Sequence, residues 1–234
     1  LGSPVAGIAK DEIIDATPAI REIQKIVTNE EFQNLPRKFK TAISGNARQD
    51  VVHEINDLAF IGVEHPELGP GFECYVGGGL STNPMLAQSL GAFVTLEQVP
   101  EVWAGVVRIF RDYGYRRLRN RARLKFLVAE WGIEKFRRVL EEEYLGYSLP
   151  DGPKAPDNLV DRDHIGVHEQ KDGNVYIGVK PTLGHMSGEQ LIALADLAER
   201  YGVTDLRFTP FKEVLLLGVA PEDVEKLQAD LEEM

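Results

Sequence analysis

The sequence is poor in cysteine and in long apolar stretches. Its one cysteine, Cys74, excludes an intrachain disulfide framework and an all-cysteine metal site built from this chain alone. Since no apolar run approaches the ~20 residues that a membrane-spanning helix needs, we expect no membrane partner. The first residues, "LGSPVAGIAKDE", contain neither a basic leader nor a long apolar run, which predicts no signal peptide and a cytoplasmic protein. They also lack an initiator methionine, and we therefore expect a piece of a longer chain.

Positive charge is scarce overall but concentrated in one stretch. The formal net charge is −11, which argues against a general attraction to nucleic acid. Between residues 104 and 138, however, eleven basic residues face three acidic ones (Asp112, Glu130 and Glu134). The basic residues are Arg108, Arg111, Arg116, Arg117, Arg119, Arg121, Arg123, Lys125, Lys135, Arg137 and Arg138. Such a local excess predicts a localised anionic partner.

Turn-forming residues divide the chain in two. The run "LGYSLPDGPKAPDNL", residues 145–159, reads as a linker. Before it we predict a helix over 18–27 capped by Thr17, strands near 37–44, 57–63 and 71–77, and helices over 100–114, 116–132 and 133–146, of which the last two end on glycine.

The second part has a β-β-α-β-β-α order. Strands near 164–168 and 175–180 flank the turn "KDGN", and Ser187 with Gln190 forms a capping box for the next helix. Two strands over 206–210 and 213–219 precede a helix opened by Pro221. The pattern predicts an α+β fold with a ferredoxin-like half-domain here.

Three stretches could carry chemistry. In "RKFK", strand alternation would place Lys38 and Lys40 on one face about 7 Å apart, suited either to an anion or to a solubilising surface. In "CYVGGGLSTNP", three glycines allow backbone close to a ligand, or simply a tight connection. In "YRRLRNRARLKF", a helix would stack Arg119 on Arg123 and Arg117 on Arg121, as a solvated face or as a carboxylate-binding surface.

The remaining candidate ligands indicate structural roles. The five histidines show no metal-ligand spacing, and Cys74 falls in a predicted strand, where it is most simply a small core residue. We therefore predict no metal ligand in this chain.

In combination, "LPRKFKTAISG", "DVVHEINDLAFIGVE", "GFECYVGGGLSTNP", "IFRDYGYRRLRNRARLKFLVAEWG" and "GVHEQKDGNVYIGV" resemble ferredoxin-dependent nitrite and sulfite reductases, which carry siroheme and a [4Fe-4S] cluster. The resemblance implies that Lys38 and Lys40 hold the substrate anion and deliver protons. It implies that siroheme is bound by Arg37, Gly77, Gly78, Gly79, Arg119 and Arg123. The implied domains are a mixed three-layer siroheme-binding domain over 1–147, a linker over 148–158 and a ferredoxin-like half-domain over 159–234.

Parts of the family pattern are missing. The family's four cluster cysteines lie downstream of the second half-domain, and a first half-domain and a substrate arginine lie upstream of "LGSP". We therefore expect a fragment that is inactive alone and that works with the rest of its polypeptide, with ferredoxin as electron donor and with sulfite or nitrite. The other hypothesis is a non-enzymatic module that binds RNA or another polyanion through the arginine-rich segment. The acidic composition argues against it, as does the lack of interleaved aromatic residues.

Overall fold

The computed structural model describes residues 1–81, 83–157 and 162–234. The chain forms two compact units, Leu1–Gly7 with Glu12–Asp157 and Ile8–Asp11 with Asn158–Met234. Both units combine a sheet with helices, which confirms the α+β class. The predicted boundary of the half-domain, at residues 158 and 159, lies outside the described residues. Among the described residues, none of the helices combines the length and the apolar composition that a membrane span requires.

The first unit is built on a four-stranded sheet in the order β1-β2-β3-β4. The strands are β1 Thr41–Ser44, β2 Leu58–His65, β3 Gly69–Val76 and β4 Gln88–Val94. β1 runs parallel to β2, and the other pairs are antiparallel. Two of the predicted strands correspond to β2 and β3. β4 was not predicted, because Gln88, Ser89 and Gly91 weaken its strand signal.

Alternating residues of β2 enter two different cores. Leu58 and Phe60 pack with the helices, whereas Ala59 and Ile61 pack on the other face with Val51 and Ala155. The helices are α1 Thr17–Ile26, α2 Val99–Tyr113 and α3 Leu124–Val139. The two glycines predicted to end helices do interrupt the helical backbone. Gly132 takes a positive φ and bends α3, and Gly146 ends the π-helical turn Leu140–Leu145 in a left-handed conformation.

Two local predictions near the start were wrong. Thr17 is the first residue of α1 rather than its cap, because the Asp15 carboxylate accepts the Thr17 amide at 2.8 Å. The strand predicted over 37–44 is formed only at 41–44. The amide of Lys40 donates to the Asp57 carboxylate (2.9 Å) instead of to a neighbouring strand, so strand alternation does not apply to Lys38 and Lys40.

The helix predicted over the arginine-rich stretch was also wrong in its first half. Arg119–Arg121 forms a single 3₁₀ turn, Arg123 has extended backbone, and α3 begins at Leu124. The expected stacking of Arg119 on Arg123 and of Arg117 on Arg121 is therefore not formed. Same-sign pairs at helical spacing destabilise a helix, and the residues between Arg116 and Arg123 offer no acidic partner to offset this.

The second unit has the predicted β-β-α-β-β-α order. It contains β5 Gly166–Glu169, β6 Val175–Val179, α4 Gly188–Arg200, β7 Asp205–Phe208, β8 Val214–Val219 and α5 Val224–Glu232. The antiparallel sheet has the order β5-β6-β8-β7. The capping box is confirmed, since Ser187 accepts the Gln190 amide and the Gln190 side chain accepts the Ser187 amide. Pro221 begins a 3₁₀ turn just before α5.

Residues predicted as a linker pack on the first unit. The Phe93 amide donates to the Pro150 carbonyl (2.8 Å), and buried Ala155 donates its amide to Glu73 (2.5 Å). These bonds tie residues 150–155 to the sheet.

Candidate functional site: a cationic cavity

The basic residues converge on a cavity of the first unit. A cavity of about 380 Å³, of a size that small-molecule sites have, contains five cationic side chains and, among its described lining residues, no carboxylate. Its lining residues are Arg37, Lys38, Ser81, Arg119, Asn120, Arg123, Lys125 and Phe126. Like charges gathered this closely repel each other unless an anion lies between them. The arrangement is thus suited to a ligand with several negative charges.

The structure brings four of the eight predicted site residues to the cavity, namely Arg37, Lys38, Arg119 and Arg123, whereas Gly77, Gly78 and Gly79 are not among its lining residues. Lys38 lines the cavity, whereas Lys40 does not: its ammonium donates to the Ile55 carbonyl at 2.6 Å. Burial lowers the pKa of Lys40, and nearby Arg123 and Lys38 lower it further, while Asp57 acts in the opposite direction. A lysine with a lowered pKa is a better proton donor near neutral pH than an ordinary one.

The Arg123 guanidinium forms an ion pair with the Asp57 carboxylate, which the sequence analysis did not identify as part of the site. Its Nη2 donates to Asp57 Oδ2 at 2.6 Å and its Nε donates to Oδ1 at 3.1 Å. The Asp57 side chain is fully buried and that of Arg123 is 11% exposed. Because Asp57 sits in a short polar stretch before β2, its sequence context looks like an ordinary turn, and only the fold shows the pairing.

The three glycines differ in what surrounds them. A side chain on Gly78 would come within 2.3 Å of the Glu54 carbonyl, and one on Gly77, which has a φ of +85°, would press on Val128. Gly79 has more room and lies beside Arg123 and Lys125. A positive φ and contact with the Val128 side chain account for Gly77, and close approach of backbone carbonyls accounts for Gly78, while Gly79 is the glycine next to the cationic side chains.

Lys125 ties the glycine-containing loop to α3. Its buried ammonium donates to the carbonyls of Gly79 (3.2 Å), Leu80 (2.9 Å) and Asn83 (2.7 Å). Burial lowers its pKa. The sequence carried a signal for this role, because Lys125 lies three residues before buried Val128, on the inward side of the helix.

Lys125→Met should destabilise the first unit. The substitution preserves the length of the side chain but leaves the three loop carbonyls without this donor, so we expect a loss of about 2 kcal/mol in the free energy of unfolding. Denaturant titration would measure it. The control is Lys135→Met, since Lys135 is exposed over the Trp131 ring at 4.6 Å and should contribute less than about 1 kcal/mol. If the two substitutions lowered the free energy of unfolding equally, the hydrogen bonds from Lys125 to the loop would not be what stabilises the first unit.

Arg37 lines two cavities at once. Its Nη1 is buried and has no hydrogen-bond partner among the described residues. Besides the cationic cavity, Arg37 and Lys38 border a second cavity of about 580 Å³ whose other walls are largely apolar, including Ile20, Phe32 and Trp103. A buried guanidinium nitrogen with a free donor is unfavourable by itself, which points to an acceptor supplied by a bound group.

The described residues do not build a metal centre. Within the described ranges, no group of three or more His, Cys, Asp or Glu side chains is placed to hold a metal ion. Cys74 is fully buried in the core, as predicted, and burial raises the pKa of its thiol, which leaves it unreactive. Buried His164 lies with Nδ1 3.0 Å from the Tyr176 hydroxyl. An iron–sulfur cluster therefore does not fit the ligands that this chain offers.

Two family models match the chain. The model described as "Nitrite and sulphite reductase 4Fe-4S domain" covers residues 1–149. The model described as "Nitrite/Sulfite reductase ferredoxin-like half domain" covers residues 168–234.

Individual relatives agree with these models. The chain is 56% identical over 234 residues to "Sulfite reductase [ferredoxin] 2" of Mycolicibacterium paratuberculosis, covering 99% of this chain and 42% of the relative. It is 37% identical to "Ferredoxin--nitrite reductase" of Synechococcus elongatus, covering 98% of this chain and 46% of the relative. The solved structure of the Mycobacterium tuberculosis NirA protein matches with a TM-score of 0.94 and 54% identity, over 100% of this chain and 42% of that one. The chain thus spans less than half the length of these relatives.

Proposed function

Because the chain belongs to the nitrite and sulphite reductase family, we propose that it is the part of a ferredoxin-dependent sulfite or nitrite reductase that holds siroheme and the substrate anion. The cationic cavity is the observation that carries the proposal. Siroheme bears eight carboxylates, and a cavity with five cations, no lining carboxylate among the described residues and an orphaned Arg37 Nη1 fits such a group.

Siroheme and a [4Fe-4S] cluster would supply the redox chemistry. Reduction of sulfite to sulfide, or of nitrite to ammonia, requires the addition of six electrons. The cluster's ligands would come from outside this chain, whose only cysteine is buried in the core. The chain's own contribution would be charge and position. Arg37, Arg119 and Arg123 would bind carboxylates of siroheme, with Gly77, Gly78 and Gly79 forming the backbone beside them.

Lys38 and Lys40 would act on the substrate. Lys38 is exposed in the cationic cavity, where a fixed ammonium attracts an oxyanion and stabilises negative charge that develops on its oxygen atoms. Lys40, with its lowered pKa, would supply protons as oxygen leaves. In this proposal Lys40 gives up its bond to the Ile55 carbonyl when it turns toward the anion.

The proposal also covers the partners of this chain and the boundaries of its domains. Ferredoxin, which appears in the names of several relatives, would donate the electrons. The remaining part of the same polypeptide would complete the site. Residues 1–147 would form the siroheme-binding domain, 148–158 the linker and 159–234 the half-domain. Neither the comparisons nor the described residues support the RNA-binding alternative, and Arg119 and Arg121, expected on one α-helix, lie instead in a 3₁₀ turn.

Arg37→Gln tests the proposal. In the complete protein we expect siroheme affinity to fall at least about tenfold, because a charge-assisted hydrogen bond from Nη1 is lost. The measurement is the ratio of siroheme absorbance to protein after purification and dialysis. Arg21→Gln is the control, since Arg21 is exposed on α1 and lines neither cavity. A complete wild-type protein without siroheme absorption, or a full siroheme content in Arg37→Gln, would count against the assignment.

A further inference from the structure

One short segment contacts every motif of the candidate site. Ile55 ends the 3₁₀ turn His53–Ile55, and Asn56 and Asp57 connect this turn to β2. Their backbone carbonyls accept the Lys40 ammonium (2.6 Å), the Gly78 amide (2.9 Å) and the Gly77 amide (2.8 Å), respectively. The lysine segment and the glycine loop are therefore both hydrogen-bonded to the same three residues.

Asp57 adds two further connections through its side chain. Its Oδ2 accepts both the Lys40 amide (2.9 Å) and Arg123 Nη2 (2.6 Å), and its Oδ1 accepts Arg123 Nε. Both oxygens act as acceptors, which is the bonding of an ionised carboxylate. Burial raises the pKa of Asp57, while the bonds from Arg123 and from the Lys40 amide act in the opposite direction and favour the ionised form. The Arg123 guanidinium itself stays charged throughout the accessible pH range. Asp57 is thus the point at which the lysine segment, the glycine loop and the arginine segment are joined.

We propose that Asp57 is a positioning residue that aims Arg123 into the cationic cavity and holds the Lys40 backbone in place, and that its buried negative charge offsets the positive charges of Arg123 and Lys38 around Lys40. This rests on the proposed function for the identity of the anion, but the action of Asp57 on Arg123 and Lys40 does not depend on it. Asp57 does not line the cavity and would touch neither siroheme nor substrate.

The charges around Lys40 give the proposal its measurable consequence. Arg123 and Lys38 face Lys40 with positive charge, and Asp57 faces it with negative charge. Burial lowers the pKa of Lys40, Asp57 raises it, and Arg123 and Lys38 lower it further. Neutralising Asp57 removes this counterbalance, so the Lys40 amine would lose its proton at lower pH than in the wild type.

The experiment compares Asp57→Asn with the wild type in the complete protein. Asparagine has nearly the same shape and keeps one acceptor oxygen, but it carries no charge. Lys40 is labelled briefly with acetic anhydride from pH 6 to 11, and the labelled peptide is quantified by mass spectrometry. We expect labelling at pH 8 to rise on the order of tenfold, with the midpoint of the pH curve displaced downward.

Asp50→Asn is the matched control. Asp50 is also a fully buried carboxylate, but it accepts the Ser3 and Ser44 hydroxyls (2.6 and 2.7 Å) and lines neither cavity. Its substitution should change Lys40 labelling at pH 8 by less than about twofold. General loosening of the fold would displace the labelling midpoint upward, toward that of an ordinary lysine, so the sign separates loss of charge from loss of structure.

Asp57→Glu covers the case in which the asparagine variant does not fold. It keeps the charge but lengthens the side chain, so we expect the Lys40 midpoint to stay near the wild type while siroheme affinity falls several-fold through misplaced Arg123. An unchanged Lys40 midpoint in folded Asp57→Asn, or wild-type siroheme affinity in Asp57→Glu of a protein that binds siroheme, would overturn the proposal. A displaced midpoint in a protein that binds no siroheme would instead retain the positioning role and reject the proposed function.

Discussion

Lys38→Met in the complete protein should lower kcat for sulfite or nitrite reduction by about 100-fold, with siroheme content unchanged. Lys38 is the exposed lysine of the cationic cavity, and removing one fixed charge that faces developing negative charge has an effect of about this size. Methionine keeps the length of the side chain without its charge. Turnover with a reduced donor and siroheme absorbance, measured on the same preparations, would test both halves of the expectation.

Two further variants accompany this experiment: Lys40→Met is a second test, and Lys25→Met is the control. Lys40→Met should also reduce turnover, since the proposal assigns proton delivery to Lys40. Lys25 is an exposed lysine on α1 that pairs with Glu22 at 2.5 Å, and such a surface pair contributes little. Lys25→Met should leave turnover within about twofold of the wild type. Undiminished turnover in both Lys38→Met and Lys40→Met would reject the roles given to the two lysines.

Gly78→Ala should destabilise the first unit by about 3 kcal/mol. The added Cβ would lie 2.3 Å from the Glu54 carbonyl oxygen and 2.6 Å from that of Asn56. Both are backbone atoms in or next to the segment of Ile55, Asn56 and Asp57, so relief of the clash would displace the loop and break the 2.9 Å bond from the Gly78 amide. The midpoint of denaturant unfolding, with unchanged slope, would report the loss.

Gly79→Ala is the control within the same loop. The nearest atoms to a Cβ there belong to the flexible Lys125 and Arg123 side chains, at 3.5 Å or more. We expect its free energy of unfolding to stay within about 1 kcal/mol of the wild type. If both alanine variants unfolded alike, the close backbone approach at Gly78 would not be the reason for glycine at that position.

Regular elements with strong local signals were predictable from the sequence. The apolar spacing of α2, the Ser187–Gln190 capping box of α4 and the strands of the second unit all formed as predicted. Each depends on side-chain periodicity or on hydrogen bonds between residues a few positions apart, which a sequence displays directly. The first half of the helix predicted over the arginines was wrong, and like charges at helical spacing, which destabilise a helix, oppose it there.

The sequence predicted which residues belong to the candidate site better than it predicted how they are arranged. Arg37, Lys38, Arg119 and Arg123 share the cavity, as expected if they bind one anionic group. The strand that was to align Lys38 with Lys40 is absent at those positions, because the Asp57 carboxylate takes the Lys40 amide. Asp57 is seventeen residues from Lys40 and sixty-six from Arg123, so no local pattern connects them.

The sequence by itself determined the kinds of group that are available: an acidic chain with one cationic stretch, two lysines around a phenylalanine and three consecutive glycines. Only the tertiary structure decided which cations face one cavity and which carboxylate stands behind them. The physical reason is that burial sets the strength of a charge interaction, and burial depends on segments far apart in sequence packing together. A carboxylate would count for little at the surface, but that of Asp57 is fully buried against Arg123, and in our proposal it positions the cations of the site.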